Sequence, residues 1–389
     1  MQVKKPKLLV FALAFGTFSI LNTEVGVIGI LPVISDKFNV TISQAGLLVS
    51  VFAIIVAVTA PFTPNYFARF EQKRILLTVL AAFMFSNILA ATATSFSMVM
   101  IARLIPALVH PIYATLAFTI AAEAVPDQEA SKAVSHVMVG VSAGMIFGLP
   151  VSTLIASNSS YSMVMLFFAL VSGLALLLNF FLLPKIPALN KANSGTKTSS
   201  MSRIFRKKSL WISGLSTMLV GAALFVMYGY ISDYLGRIGH FDGQTLSIAL
   251  FLFGVASILG NLIAGSMLDS NGLKLVKLYS FMLSAVYIMV LLVANIQLLL
   301  ILVVSLWGFV YGIGNNVQQY FISSAIPEAP TIANGLFISL GNVGTTLGTT
   351  IGGVILAFSS LQALPIAGCF ILFVLYFIVI YRQKKFFSN

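Results

Sequence analysis

Apolar residues fall in twelve long runs, near positions 8–32, 44–66, 75–95, 97–122, 133–157, 161–184, 210–235, 244–269, 274–295, 297–324, 332–358 and 361–382, each closed by a short polar, glycine- or proline-bearing segment. At about 1.5 Å of rise per residue, about 20 apolar residues cross the hydrocarbon core of a bilayer. The pattern predicts twelve membrane-spanning helices. Sliding the chain by about 201 residues lays the first half over the second: Val125-Pro126-Asp127 falls on Ile326-Pro327-Glu328, Lys73 on Lys274 and Gly140 on Gly341. The expected architecture is an all-α membrane protein of two six-helix pseudo-symmetric bundles, 1–184 and 210–389, joined by a polar linker over 185–209. Two similar bundles that rock about a shared site make transport the first functional expectation.

Composition excludes the soluble alternative. Charged residues are 8% and hydrophobic residues 59% of the 389, against roughly 25% charged in a soluble domain, so the chain cannot cover itself with polar surface. A net charge of +12 raises nucleic acid as a partner, and the placement of the cations removes it. They sit at Lys4, Lys5 and Lys7, at Arg69, Lys73 and Arg74, at Lys132, in the linker, at Lys274 and Lys277, and at Arg382, Lys384 and Lys385. With alternating helices these segments share one side, and only Lys37 and Arg237 fall on the other. That asymmetry puts both termini and the linker in the cytoplasm of a multi-pass plasma-membrane protein. The basic, apolar start has no convincing small-residue cleavage site and reads as a retained first helix. Cys369 is the single cysteine and packs as a small hydrophobe.

Few residues inside the runs carry chemistry. Glu24 in the first helix and Arg103 in the fourth lie at similar depth. A charge in hydrocarbon costs about 2.5–3.5 kcal/mol even on lenient scales, so each needs a partner or a wet cavity. Either they form a fixed ion pair, or Glu24 exchanges protons with Arg103 modulating its acidity. His110 follows Arg103 by two helical turns, on about the same face, and is a second proton candidate. Gly140, Gly144 and Gly148, followed by Pro150, bare one face of the fifth helix; Gly341, Gly344, Gly348 and Gly352 repeat the device in the eleventh. Asn315, Gln319 and Asn342 are amides in apolar helices, and with Tyr113 and Tyr228 they are the expected substrate contacts; Phe15, Phe225 and Phe253 offer stacking walls. No phosphate loop, metal-ligand spacing or catalytic triad is present, so neither a cofactor nor an enzyme is expected.

The segment from Gly265 through Met267, Leu268, Asp269 and Gly272 to Lys274 resembles the Gly-x-Leu-Ala-Asp-Arg-x-Gly loop motif of the major facilitator superfamily. Asp269 then stands at a helix end where it holds the inner gate, with Gly265 and Gly272 as the turn. The matching first-half loop, Pro64 to Arg74, lacks those glycines and the aspartate. Arg103 matches the fourth-helix arginine of proton-coupled exporters, and the glycine face before Pro150 is similar to their antiporter motif. Asn22-Thr23-Glu24, Gly29-Ile30-Leu31-Pro32 and Gln44 to Ser50 look like purine, nucleoside, sugar and chloramphenicol exporters. The resemblance implies a monomeric drug/proton antiporter that uses the proton gradient and exports small molecules. A narrow nucleobase, nucleoside or sugar exporter is the alternative, and a lipid translocase is the third.

Overall fold

A computed structural model describes residues 6–60, 62–67, 69–126, 129–186 and 204–386. Among the described residues the regular elements are helices, and twelve helical segments are long and apolar enough to cross a membrane. Their contacts divide the chain into two units, Met1–Val40 with Val58–Lys191 and Thr41–Ala57 with Ala192–Asn389. By contact, nearly the whole second span, Ile42–Thr59, therefore groups with the second half of the chain.

The first unit contains α1 (Pro6–Gly29), α2 (Leu31–Phe38), α4 (Thr63–Phe67), α5 (Gln72–Ala91), α6 (Phe96–Glu123), α7 (Ala130–Asn158) and α8 (Tyr161–Leu182). The first apolar run does not form one helix: Pro32 sits in the first turn of α2, where its missing N–H costs nothing, and the chain bends at Ile30. Ser95 and Ser160 cap α6 and α8, each accepting from a backbone N–H three residues on at 3.3 Å. Lipid provides no hydrophobic drive between helices, so close packing holds α1 to α7. A Cβ on Gly140 would overlap the Ala14 carbonyl, and one on Gly144 would lie 2.8 Å from the Phe18 carbonyl. The contacts pair ascending residues of α1 with ascending residues of α7, so the two helices run parallel. Leu13 of α1, Leu80 of α5, Leu116 of α6 and Val137 of α7 fill the core between them.

The second unit holds α3 (Ile42–Thr59), α9 (Lys208–Tyr228), α10 (Ile231–Arg237), α11 (Gly243–Leu292), α12 (Gln297–Ala325), α13 (Pro330–Phe358) and α14 (Ala363–Phe386). Thr41 and Gln44 open α3 with a capping box: the Gln44 N–H donates to Thr41 Oγ1 at 3.1 Å, and the Thr41 N–H donates to Gln44 Oε1 at 2.8 Å. α3 packs on α13 through hydroxyls, Ser50 Oγ to Thr349 Oγ1 at 2.6 Å and Ser339 Oγ donating to the Ala57 carbonyl at 2.7 Å.

One helical element, α11, covers both the eighth and ninth runs, and it holds two spans, Gly243–Ala264 and Gly272–Leu292, as expected. It doubles back, because Trp307 lies 5.4 Å from the Phe253 ring and 5.7 Å from the Tyr287 ring, residues that a straight helix would hold about 51 Å apart. The repeat register shifts from the expected one. A slide of 200 residues carries Ala130–Asn158 onto Pro330–Phe358. It also carries the approach of Gly148 to Asn22 onto that of Gly348 to Ala222. Gly140 is thus equivalent to Leu340, and Gly341 turns toward Gln318. Below this bundle Lys207 pairs with Glu328, and that hydrogen bond holds the Glu328 carboxyl below the usual carboxylate range.

Candidate functional site

The charged residues of the first unit converge where α6 crosses α1. Tyr113 of α6 meets Gly16 of α1, and Arg103 meets Thr23 and Glu24, so the two helices run antiparallel. The Arg103 guanidinium, 7% exposed, donates to the Thr23 carbonyl at 3.0 Å and to the Glu24 carbonyl at 2.7 Å. Its fork therefore grips peptide groups of α1, whereas a fixed Glu24–Arg103 ion pair was one of the two alternatives expected. The Glu24 carboxylate instead meets His110, with Oε2 and Nε2 2.9 Å apart.

Helix geometry accounts for this exchange of partners. Side chains lean toward the N-terminus of their own helix while carbonyls point toward its C-terminus. On antiparallel helices Arg103 leans toward the α1 carbonyls, whereas Glu24 leans the opposite way along α1, toward the next turns of α6, where His110 stands. Asn87 of α5 donates to Thr23 Oγ1 at 3.2 Å, and Ser86 donates to the Ala102 carbonyl, so α5 braces both helices. The Glu24 side chain keeps 24% of its surface exposed and His110 keeps 12%. The facing atoms themselves, Glu24 Oε2 and His110 Nε2, are buried.

Tyr113 has a different setting from an open binding wall. It is fully buried, and its hydroxyl donates to Asn179 Oδ1 at 3.0 Å, while Asn179 Nδ2 donates to the Ala12 carbonyl at 2.9 Å. At the far end of α7, next to Pro150, Ser152 Oγ donates to the Gly26 carbonyl at 2.8 Å and Thr153 Oγ1 to the Gly29 carbonyl at 3.1 Å. These bonds hold the last turn of α1.

In the second unit Tyr228, Phe253, Trp307 and Tyr311 form an aromatic cluster. Tyr228 stacks on Phe253 at 5.2 Å and approaches Tyr311 at 4.8 Å, with Phe225 edge-on at 5.5 Å. Phe225, Tyr228 and Phe253 were anticipated; Trp307 and Tyr311 were not. Their signal was present as an i, i+4 aromatic pair interleaved with Gly308 and Gly312, which bring α12 onto the carbonyls of Phe253 and Ser257. Asn315 is half-buried and Gln319 exposed, one turn apart on α12, while Asn342 Nδ2 donates to Ile338 within its own helix at 2.9 Å. Asn316, on the same helix as Asn315, joins two spans by donating to Asn261. Gly272 packs against the Tyr320 ring. Gly265 and the Asp269 side chain lie outside the described residues.

Comparison with known proteins points to one family. The Major Facilitator Superfamily model matches residues 13–331 and 210–388. The chain is 30% identical over 351 residues to the uncharacterized MFS-type transporter YtbD of Bacillus subtilis, covering 88% of this chain and 87% of that one. It is 26% identical over 353 residues to a probable sugar efflux transporter of Mannheimia succiniciproducens, with 89% and 86% covered. The crystal structure of the nucleoside transporter NupG superposes with a TM-score of 0.79 at 18% identity, covering 98% of this chain and 100% of that one. At that identity the likeness concerns the fold.

Proposed function

Because the chain belongs to the major facilitator superfamily, we propose that it exports small organic molecules by alternating access, in exchange for protons bound at Glu24 and His110. The 2.9 Å contact between Glu24 Oε2 and His110 Nε2 carries this reading. A carboxylate and an imidazole that share a proton release it when their separation or surroundings change. Arg103 fixes the α1 backbone at Thr23 and Glu24, so movement between α1 and α6 acts directly on that separation. No cofactor is required, because the proton gradient supplies the work: about 1.36 kcal/mol per proton per pH unit, or a tenfold substrate gradient at one proton per molecule. The basic-residue asymmetry supports cytoplasmic termini, and the two-bundle fold supports a functional monomer.

The test is accumulation in proteoliposomes under an imposed pH gradient, with a mixed panel of apolar drugs, nucleosides and sugars. Glu24→Gln keeps size and a hydrogen bond to His110 but removes the carboxylate, so gradient-driven accumulation should stop while equilibrium exchange continues. Accumulation that persists in Glu24→Gln, normalised for folded protein, refutes the proton site. A narrow sugar or nucleoside exporter is the second reading, favoured by the sugar efflux relative and by the half-buried amide Asn315.

A further inference from the structure

We propose that a cavity on the α1/α7 face of the first unit is a binding site for an apolar, ring-bearing amphiphile with a neutral or zwitterionic polar end. This deepens the exporter reading, and rests on it, by naming the substrate class. The cavity has a volume of about 840 Å³, is open on one side, and is lined wholly by α1, α7 and the segment just before α7. That volume lies within the roughly 300–1,000 Å³ of small-molecule sites, which are mostly apolar with a few polar groups that orient the ligand.

The arrangement along the cavity is graded. Phe11, Phe15 and Phe18 make a continuous wall on α1, with ring centroids 6.4 Å and 5.5 Å apart, and Val139 and Phe147 face the same space from α7. Since α1 and α7 run parallel, their N-termini lie at the same end. There the polar lining residues gather: Lys7 in the first turn of α1, Glu129 as the residue before α7, and His136. One end is thus polar and the rest is hydrocarbon and aromatic rings.

That gradient selects a ligand. A sugar or nucleoside carries hydroxyls around its whole body, and most would be stripped of water along the aromatic wall with nothing to bond. An aromatic body stacks there instead. The formal charges of Lys7 and Glu129 oppose each other at the polar end, so a permanently anionic head, including a phospholipid phosphate, meets a carboxylate as well as an ammonium. A neutral hydrogen-bonding or zwitterionic head uses both. Glu24 points from α1 toward α6 and is absent from this lining, so one helix carries the proton site and the proposed ligand site on different faces.

The probe is N-phenyl-1-naphthylamine, a neutral diarylamine, titrated against the full-length protein in nanodiscs with empty nanodiscs as background. Ala143 lies in the lining, and Ala143→Trp fills the space; we expect saturable binding to the wild type, weakened about tenfold or more in Ala143→Trp because the indole occupies the ligand's volume. Phe15→Ala, which removes wall without adding bulk, should weaken binding even where Ala143→Trp folds poorly. Millimolar xylose or uridine should leave the probe in place. Unchanged affinity in Phe15→Ala, or displacement by either sugar-bearing compound, overturns the proposal. So does native mass spectrometry that finds a phospholipid retained by the wild type and lost from Ala143→Trp. Glu24→Gln should bind the probe as the wild type does, so failure of the proton site and failure of this cavity are separately visible.

Discussion

The α1/α7 seam makes a quantitative prediction from two glycines one turn apart. An added Cβ at Gly144 would stand 2.7 Å from Leu21 Cβ and 2.8 Å from the Phe18 carbonyl, where ordinary contact begins at 3.4 Å. Relief requires α1 to withdraw by more than half an ångström along a face that it shares with α7 for several turns. Overpacking of that kind costs about 1–3 kcal/mol. At Gly148 the nearest atom, the Asn22 carbonyl oxygen, is 3.3 Å away, a shortfall of only about a tenth of an ångström from ordinary contact. Both substitutions also gain about 1 kcal/mol of helix propensity, since alanine loses less backbone freedom than glycine. The net expectation differs between the two: Gly144→Ala destabilises by up to roughly 2 kcal/mol, while Gly148→Ala is neutral or slightly stabilising. Denaturant titration of the two purified variants in matched micelles, followed by intrinsic fluorescence, measures the difference. Equal stabilities, or Gly148→Ala as the weaker protein, would show that α7 does not bear on α1 through this register.

Three further outcomes follow from named contacts. Arg103→Lys replaces a fork bonded to two carbonyls with a compact ammonium and should lose one charge-assisted bond, about 1.5–3 kcal/mol in the same titration; unchanged stability would remove the grip on α1. Tyr113→Phe deletes the buried bond to Asn179 and should cost about 0.5–1.5 kcal/mol without altering the apparent KM for transport, so a raised KM at unchanged stability would return Tyr113 to the substrate site. Glu328 has its folded pKa depressed by the Lys207 hydrogen bond, so its contribution is present above the unfolded carboxylate range and fades as pH falls through the folded value. The pair is largely exposed, which limits the effect to about 1 kcal/mol or less. In Glu328→Gln this part of the acid-limb stability loss should vanish, and an identical pH profile in both proteins argues against the bridge.

Hydrophobic runs of membrane-spanning length are a property of the chain alone, because lipid imposes the length and every backbone group must bond within its own helix. All twelve spans, the linker composition and the pseudo-repeat are therefore legible before any packing is known. So is the peculiarity of Glu24, Arg103 and His110, since a titratable residue in hydrocarbon is conspicuous by its cost. Tertiary structure decided who meets whom. A seven-residue spacing puts Arg103 and His110 on one face of α6, but only the antiparallel crossing with α1 hands the carboxylate to His110 and the guanidinium to peptide carbonyls. The fully buried Tyr113 and the cluster of Tyr228, Phe253, Trp307 and Tyr311 depend in the same way on helix rotation, which apolar-on-all-sides sequences do not encode. Thr41–Ala57 groups with the second unit because Ser50 finds Thr349, and the α1/α7 cavity exists because two parallel helices seated on glycines leave an aromatic wall beside them. Lipid sets what each helix must be, whereas side-chain contacts between helices set what the protein can do.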